Sequence, residues 1–92
     1  MSLFFPDEPP TQKIHSKSFV STSAEIGNNV TIEVGAVIEN GVKIGDNSFI
    51  GANSFIGRNT KIGSDCKIYQ NAVLYYSTII GNNSVIHSST VI

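Results

Sequence analysis

This chain of 92 residues has one cysteine, Cys66, so an internal disulfide framework is excluded. All three prolines, Pro6, Pro9 and Pro10, fall within the first ten residues. Charge is sparse and nearly balanced, six basic against seven acidic residues, for a net charge of -1. That balance gives no electrostatic basis for binding nucleic acid or an anionic membrane. No apolar run approaches the ~20 residues that a membrane span requires. The opening "MSLFFPDEPP" has no basic leader, and Pro6, Asp7 and Glu8 end its short apolar run, so it does not read as a signal peptide. No GxxxxGK, GxGxxG, HExxH or GxSxG motif is present, and two histidines in one chain cannot make a three-imidazole metal centre. No cofactor and no metal is expected, and the chain is expected to be cytoplasmic.

What the chain does have is a beat of six. From Ile14 to Ile92 every sixth residue is aliphatic, fourteen in succession without a slip: Ile14, Val20, Ile26, Ile32 and so on through Leu74, Ile80, Ile86 and Ile92. A period of six is not helical, because the apolar face of an α-helix returns at three and four. It is even, so an extended strand keeps one face throughout. Six residues are too few for a hairpin. The solution is a coil of three short strands and three corners, eighteen residues around. Its aliphatic side chains point inward and stack from coil to coil at ~4.8 Å.

Two further positions agree. The fifth residue of each hexad is small or β-branched, as in Ser48, Ser54, Thr60, Cys66 and Ala72, which suits a narrow triangular interior. Cys66 therefore reads as a packing residue. The fourth is mostly Asn or Gly, as in Asn29, Gly35, Gly41, Asn47, Asn53 and Asn59. Those residues tolerate the positive φ that a tight corner demands. The expected fold is all-β, a left-handed parallel β-helix of about four coils spanning residues 14–92. Residues 1–13 read as an irregular N-terminal arm or remnant linker. The hand is what the hexapeptide-repeat class implies, since ordinary crossover handedness points the other way.

Residues eighteen apart share a face, so the outside can be read as columns. Phe19, Val37, Phe55, Val73 and Val91 form one wholly apolar column, flanked by Phe49 and Val85. An apolar stripe on the outside of a prism calls for a cover, and these seven residues are expected to form a subunit interface. A neighbouring column holds Glu25, Lys43, Lys61 and Ile79. Gly27, Gly45, Gly63 and Gly81 form a strip without side chains, open to close approach by a ligand or by another backbone. Tyr69 is expected one coil below His87, with Tyr75 and Tyr76 one face away, so that the four make a polar-aromatic patch. Histidine is the side chain most often used as a general base, so His87 is the best candidate for that role. The stacking scheme gives it no acidic partner, and no catalytic residue is assigned.

On these residues the chain resembles a known family. "KIHSKSFVSTSAEIG", residues 13–27, is similar to the opening coil of the UDP-3-O-acylglucosamine N-acyltransferases of lipid A synthesis. "KIGSDCKIYQNAVLYYSTIIGNNSVIHSSTVI", residues 61–92, is similar to a later part of the same region, with its glycine-spaced isoleucine coil, tyrosine-bearing coil and Ile-His-Ser step. "LFFPDEPP" resembles that family's join between its first domain and its β-helix. The resemblance implies a homotrimer of parallel prisms. It also implies transfer of a 3-hydroxyacyl group from acyl carrier protein to the 2-amine of a UDP-linked glucosamine, in clefts between subunits, with a histidine as base. The family's base stands in an Ile-Ala-His-Asn context that no residue here matches, and His87 matches the Ile-His-Ser position instead. The expectation is a chain truncated at its C-terminus and inactive alone. A structural trimerisation module, or another acyltransferase of the hexapeptide class, is the alternative.

Overall fold

The computed structural model describes residues 12–92. Phe4 and Phe5, which the sequence places in an irregular arm, lie outside the described residues. Among the described residues, thirteen two-residue strands follow one another at six-residue intervals. They sort into three parallel sheets. Sheet A stacks β1 (Lys13–Ile14), β4 (Thr31–Ile32), β7 (Phe49–Ile50), β10 (Lys67–Ile68) and β13 (Val85–Ile86). Sheet B stacks β2 (Phe19–Val20), β5 (Val37–Ile38), β8 (Phe55–Ile56) and β11 (Val73–Leu74). Sheet C stacks β3 (Glu25–Ile26), β6 (Lys43–Ile44), β9 (Lys61–Ile62) and β12 (Ile79–Ile80). Every pairing joins residue i to i+18, as in Ile32↔Ile50 and Ile44↔Ile62. The protein is a parallel β-helix of about four coils, as the hexads require.

The inward column is the core. Ile32, Ile38, Ile50, Ile56, Ile68 and Leu74 are fully buried, with Val30, Ala36, Val42, Cys66 and Ala72 between them. Each large aliphatic buried in this way stabilises the fold by ~1.5–3 kcal/mol. The ends of the stack are less covered: Ile14 is 38% exposed and Ile92 44%.

The backbone uses both neighbours. The N–H groups beginning a strand and following it bond upward, as in Phe49 N–H to Cys66 O (2.8 Å) and Gly51 N–H to Ile68 O (2.7 Å). The corner N–H bonds downward, as in Asn59 to Asn40 O (2.9 Å) and Ser77 to Arg58 O (2.8 Å). These ladders satisfy groups that a chain without regular neighbours would leave dry.

Corner chemistry follows the expectation, with two exceptions. Eleven corner residues have positive φ, from Asn29 (57°) through Gly35, Gly41 and the later Asn residues to Ser77 (58°) and Ser89 (62°). That is the conformation of the third residue of a type II turn. Lys17 and Ser23 do not share it. Their own N–H groups bond locally, Lys17 to His15 Nδ1 (3.0 Å) and Ser23 to Ser21 Oγ (3.3 Å), where most later corner N–H groups bond to the coil below. Residue type alone does not set this, since Ser77 and Ser89 do enter the left-handed region.

The interior hydroxyls have a role beyond their small size. Ser48 Oγ donates to Gly63 O (2.8 Å), Ser54 Oγ to Tyr69 O (3.0 Å) and Thr60 Oγ1 to Tyr75 O (3.0 Å), each reaching the coil above. Ser48 Oγ also accepts the Cys66 N–H at 3.1 Å, and Thr60 Oγ1 the Thr78 N–H at 3.3 Å. Cys66 is fully buried, with its thiol 3.0 Å from Gly81 O. Among the described residues no buried side-chain polar atom lacks a partner.

Candidate functional site

The strands are two residues long, so nearly all chemistry on this molecule is displayed at corners or on outward strand positions. On the side of sheet A, Phe49, Tyr69 and His87 rise as a ladder. Phe49 and Tyr69 lie 6.3 Å apart, centroid to centroid, tilted by 56°. Tyr69 and His87 lie 6.4 Å apart and nearly parallel, at 15°. Both geometries are within the range of favourable aromatic pairs. Tyr69 is half-buried between its neighbours, and His87 is exposed.

Tyr75 and Tyr76 stand at the next corner, after β11, both mainly exposed. Tyr76 pairs with Arg58, whose guanidinium carbon lies 4.8 Å from the ring centroid, a cation–π contact. The structure thus brings Tyr69 and His87 together and gives Tyr76 a different partner. Sequence reading passed over Arg58. Its signal was the eighteen-residue interval from Arg58 to Tyr76, the same one that joins Tyr69 to His87. Arg58 also lines a shallow depression of about 260 Å³ with Phe19, Glu39 and Asn40.

The apolar column is continuous on sheet B. Phe19, Val37, Phe55 and Val73 are register partners, and an isolated bridge joins Val73 to Val91. Phe19 is 59% exposed, Val91 is similar, and Val37, Phe55 and Val73 are half-buried. Phe49 is half-buried and Val85 exposed on the adjoining sheet A.

The glycine strip is filled from within. A Cβ on Gly45 would lie 2.6 Å from both the Gly63 carbonyl carbon and the Ser64 nitrogen. At Gly27 and Gly63 the intruding atoms include the carboxylate of Asp46 and the carboxamide of Asn82. Those oxygens accept the N–H groups of Asn28 and Ser64 at 2.8 Å. The close neighbour of this strip is therefore the next coil. Gly81 alone has open space, with nothing within 4 Å.

On sheet C, Lys43 and Lys61 are register partners. They line a wider depression of about 530 Å³ with Gly41, Asn59, Ser77 and Ile79. Among the described residues no cluster of three His, Cys, Asp or Glu side chains could hold a metal ion. No helix among them is long and apolar enough to cross a membrane.

Three parallel sheets of hexad strands around an aliphatic core define a hexapeptide-repeat β-helix. The sequence matches the family "Bacterial transferase hexapeptide (six repeats)" over residues 23–58 and 59–92. The chain belongs to that family. No curated protein matches it. Among solved structures it is similar to a UDP-N-acetylglucosamine acyltransferase from Campylobacter jejuni, with a TM-score of 0.63 and 22% identity, covering 80% of this chain and 44% of that one. A perosamine N-acetyltransferase from Caulobacter crescentus, solved with CoA and GDP-perosamine, matches at 18% identity and a TM-score of 0.44, covering 89% of this chain and 50% of that one. The chain spans about half the length of these structures. At such identities the likeness is one of fold.

Proposed function

We propose that this chain is the β-helical part of an acyltransferase acting on a UDP-linked glucosamine. The finer reading is that of the UDP-3-O-acylglucosamine N-acyltransferases: a 3-hydroxyacyl group passes from acyl carrier protein to the 2-amine, in the cytoplasm, as a step of lipid A synthesis. The observation that carries the transferase part of this reading is the family match over residues 23–58 and 59–92. Residues 13–27 and 61–92 support the narrower reading through their resemblance to that family. The fold shared with an enzyme named for acyl transfer to UDP-N-acetylglucosamine is consistent with the substrate class.

Acyl transfer to an amine needs the nucleophile held against a thioester carbonyl and a base to take its proton. His87 is exposed and stacked flat on Tyr69. Among the described residues its imidazole nitrogens have no hydrogen-bond partner, so nothing orients it for that work. The chain's share is a rigid prism with two outward features: the apolar column on sheet B and the Phe49–Tyr69–His87 ladder on sheet A. In this reading Phe19, Val37, Phe55, Val73 and Val91, with Phe49 and Val85, are the homotrimer interface. The same column favours the second reading, a trimerisation module without catalysis of its own.

A transfer assay with 3-hydroxyacyl carrier protein and UDP-3-O-acylglucosamine separates the two. It is run on the 92-residue chain and on the chain extended by whatever coding sequence follows codon 92 in frame. The expected result is no turnover by the first and turnover by the second, with an Ile-Ala-His-Asn step in the added hexads. Turnover by the 92-residue chain would show that the base lies within it. An extension without hexads or transfer would leave the trimerisation module.

A further inference from the structure

Lys43 and Lys61 occupy adjacent rungs of sheet C, paired Cα to Cα by the i+18 register. Like charges directly opposite one another destabilise a sheet. The register of a β-helix allows neither residue to slip away, because a one-residue shift would carry every core aliphatic outward. Lys43 has some relief from Glu25, its register partner on the other side. Lys61 has none within its column: its partners are Lys43 and Ile79, and Ile79 is 76% exposed.

Beside this pair lies the depression of about 530 Å³ lined by Gly41, Lys43, Asn59, Lys61, Ser77 and Ile79. None of those six residues is acidic. Asn59 turns its carboxamide oxygen over Gly41, which leaves the NH2 end as a donor. Ser77 brings a hydroxyl. Two lysines, an amide and a hydroxyl therefore line one depression whose lining includes no acidic residue, Glu25 lying one coil below Lys43.

We infer that this face of sheet C binds a phosphoryl oxyanion, bridged by Lys43 and Lys61. A phosphate carries more than one negative charge, which matches two adjacent ammoniums better than a single carboxylate does. Lysine serves phosphate as a point charge without demanding the planar geometry of a guanidinium. Ile79 offers an apolar flank to whatever the phosphate is attached to. The site uses neither the apolar column nor the aromatic ladder, and it holds whether or not the chain takes part in acyl transfer.

The test is calorimetric titration of the full chain with inorganic phosphate, pyrophosphate and acetate at one fixed low ionic strength. The variants are Lys43→Gln, Lys61→Gln, the double variant, and Lys17→Gln as a control for net charge. Saturable binding of phosphate or pyrophosphate is expected, weakened at least tenfold in the double variant and unchanged in Lys17→Gln. Lys61→Gln should lose more than Lys43→Gln. Tighter pyrophosphate assigns a diphosphate spanning both ammoniums, and tighter phosphate assigns a single phosphate group. Without ligand the double variant should melt no lower than the parent, because relief of repulsion is its only structural effect. Equal loss in Lys17→Gln, binding of acetate as tight as that of phosphate, or absence of saturation would overturn the site. So would a double variant that melts lower, since the lysine stems would then be packing elements.

Discussion

Tyr69 and His87, eighteen residues apart, lie with ring centroids separated by 6.4 Å and planes inclined by only 15°. The register that builds the core also brings these two rings into contact outside it. Tyr69 touches Phe49 as well and is half-buried, whereas His87 is exposed. Tyr69→Ala should therefore cost more stability than His87→Ala. A double-mutant cycle by urea denaturation should return a Tyr69–His87 coupling of about 0.5–1 kcal/mol. A coupling of zero would mean that the two rings only lie side by side.

The glycine strip gives an internally controlled prediction. Gly45→Ala forces a methyl to within 2.6 Å of the backbone of the next coil, which has no flexible end to yield. Overpacking of that kind costs about 1–3 kcal/mol. Gly81→Ala meets nothing within 4 Å and should be neutral or slightly stabilising. Denaturant midpoints of the two variants check the pair.

Ser48→Ala should be the more damaging of two similar substitutions. Ser48 donates to Gly63 O and accepts from Cys66 N–H, and its loss leaves two backbone groups without partners. Each buried orphan costs about 1–3 kcal/mol. Ser54 makes the upward bond to Tyr69 O, so Ser54→Ala should cost less. Hydrogen exchange at the Cys66 amide should rise in Ser48→Ala alone.

Ser77→Gly should raise stability by about 0.5–1 kcal/mol. Ser77 holds φ at 58°, in a region that L side chains pay to enter and glycine does not. Ser23→Gly, three coils below in the same corner column, should give no such gain, because Ser23 is not among the residues with positive φ. Thermal melts of both variants decide it.

Phe55→Asp combined with Val73→Asp places two charges in the middle of the sheet B column while leaving the inward Ile56 and Leu74 untouched. Sedimentation should show the assembly falling to monomers, with the far-ultraviolet spectrum retained. An unchanged oligomer would remove the column from the interface.

The sequence was most informative where one side chain answers to one constraint. Inward aliphatics, small fifth positions and Asn or Gly corners each obey a single steric demand, so the period, the coil and the column partners could all be read directly. The stacking of Tyr69 under His87 followed from the same arithmetic. Features with two competing explanations were less legible. The bare strip at Gly45 fitted a ligand or a neighbouring backbone equally well until the Gly63–Ser64 peptide was seen against it. Ser48 and Thr60 looked small because the interior is narrow, and their bridging bonds depend on the three-dimensional rise between coils. Lys17 and Ser23 broke the corner pattern in composition and again in backbone angle. Arg58 is a single cation in a column otherwise without charge beside Tyr76, so composition alone does not mark it, and only the eighteen-residue interval ties it to that ring.

The i+18 register also governs how such a molecule can change length. Insertion of eighteen residues would add a storey and keep every later residue on its own side of the triangle, with only the pairs that span the insertion parted by the new storey. Insertion of six would preserve the buried beat yet turn all later residues by one side of the triangle, parting Tyr69 from His87 and Lys43 from Lys61 if it fell between them. Growth or shrinkage by duplication should therefore proceed in whole storeys, with the outer surface acting as the ruler.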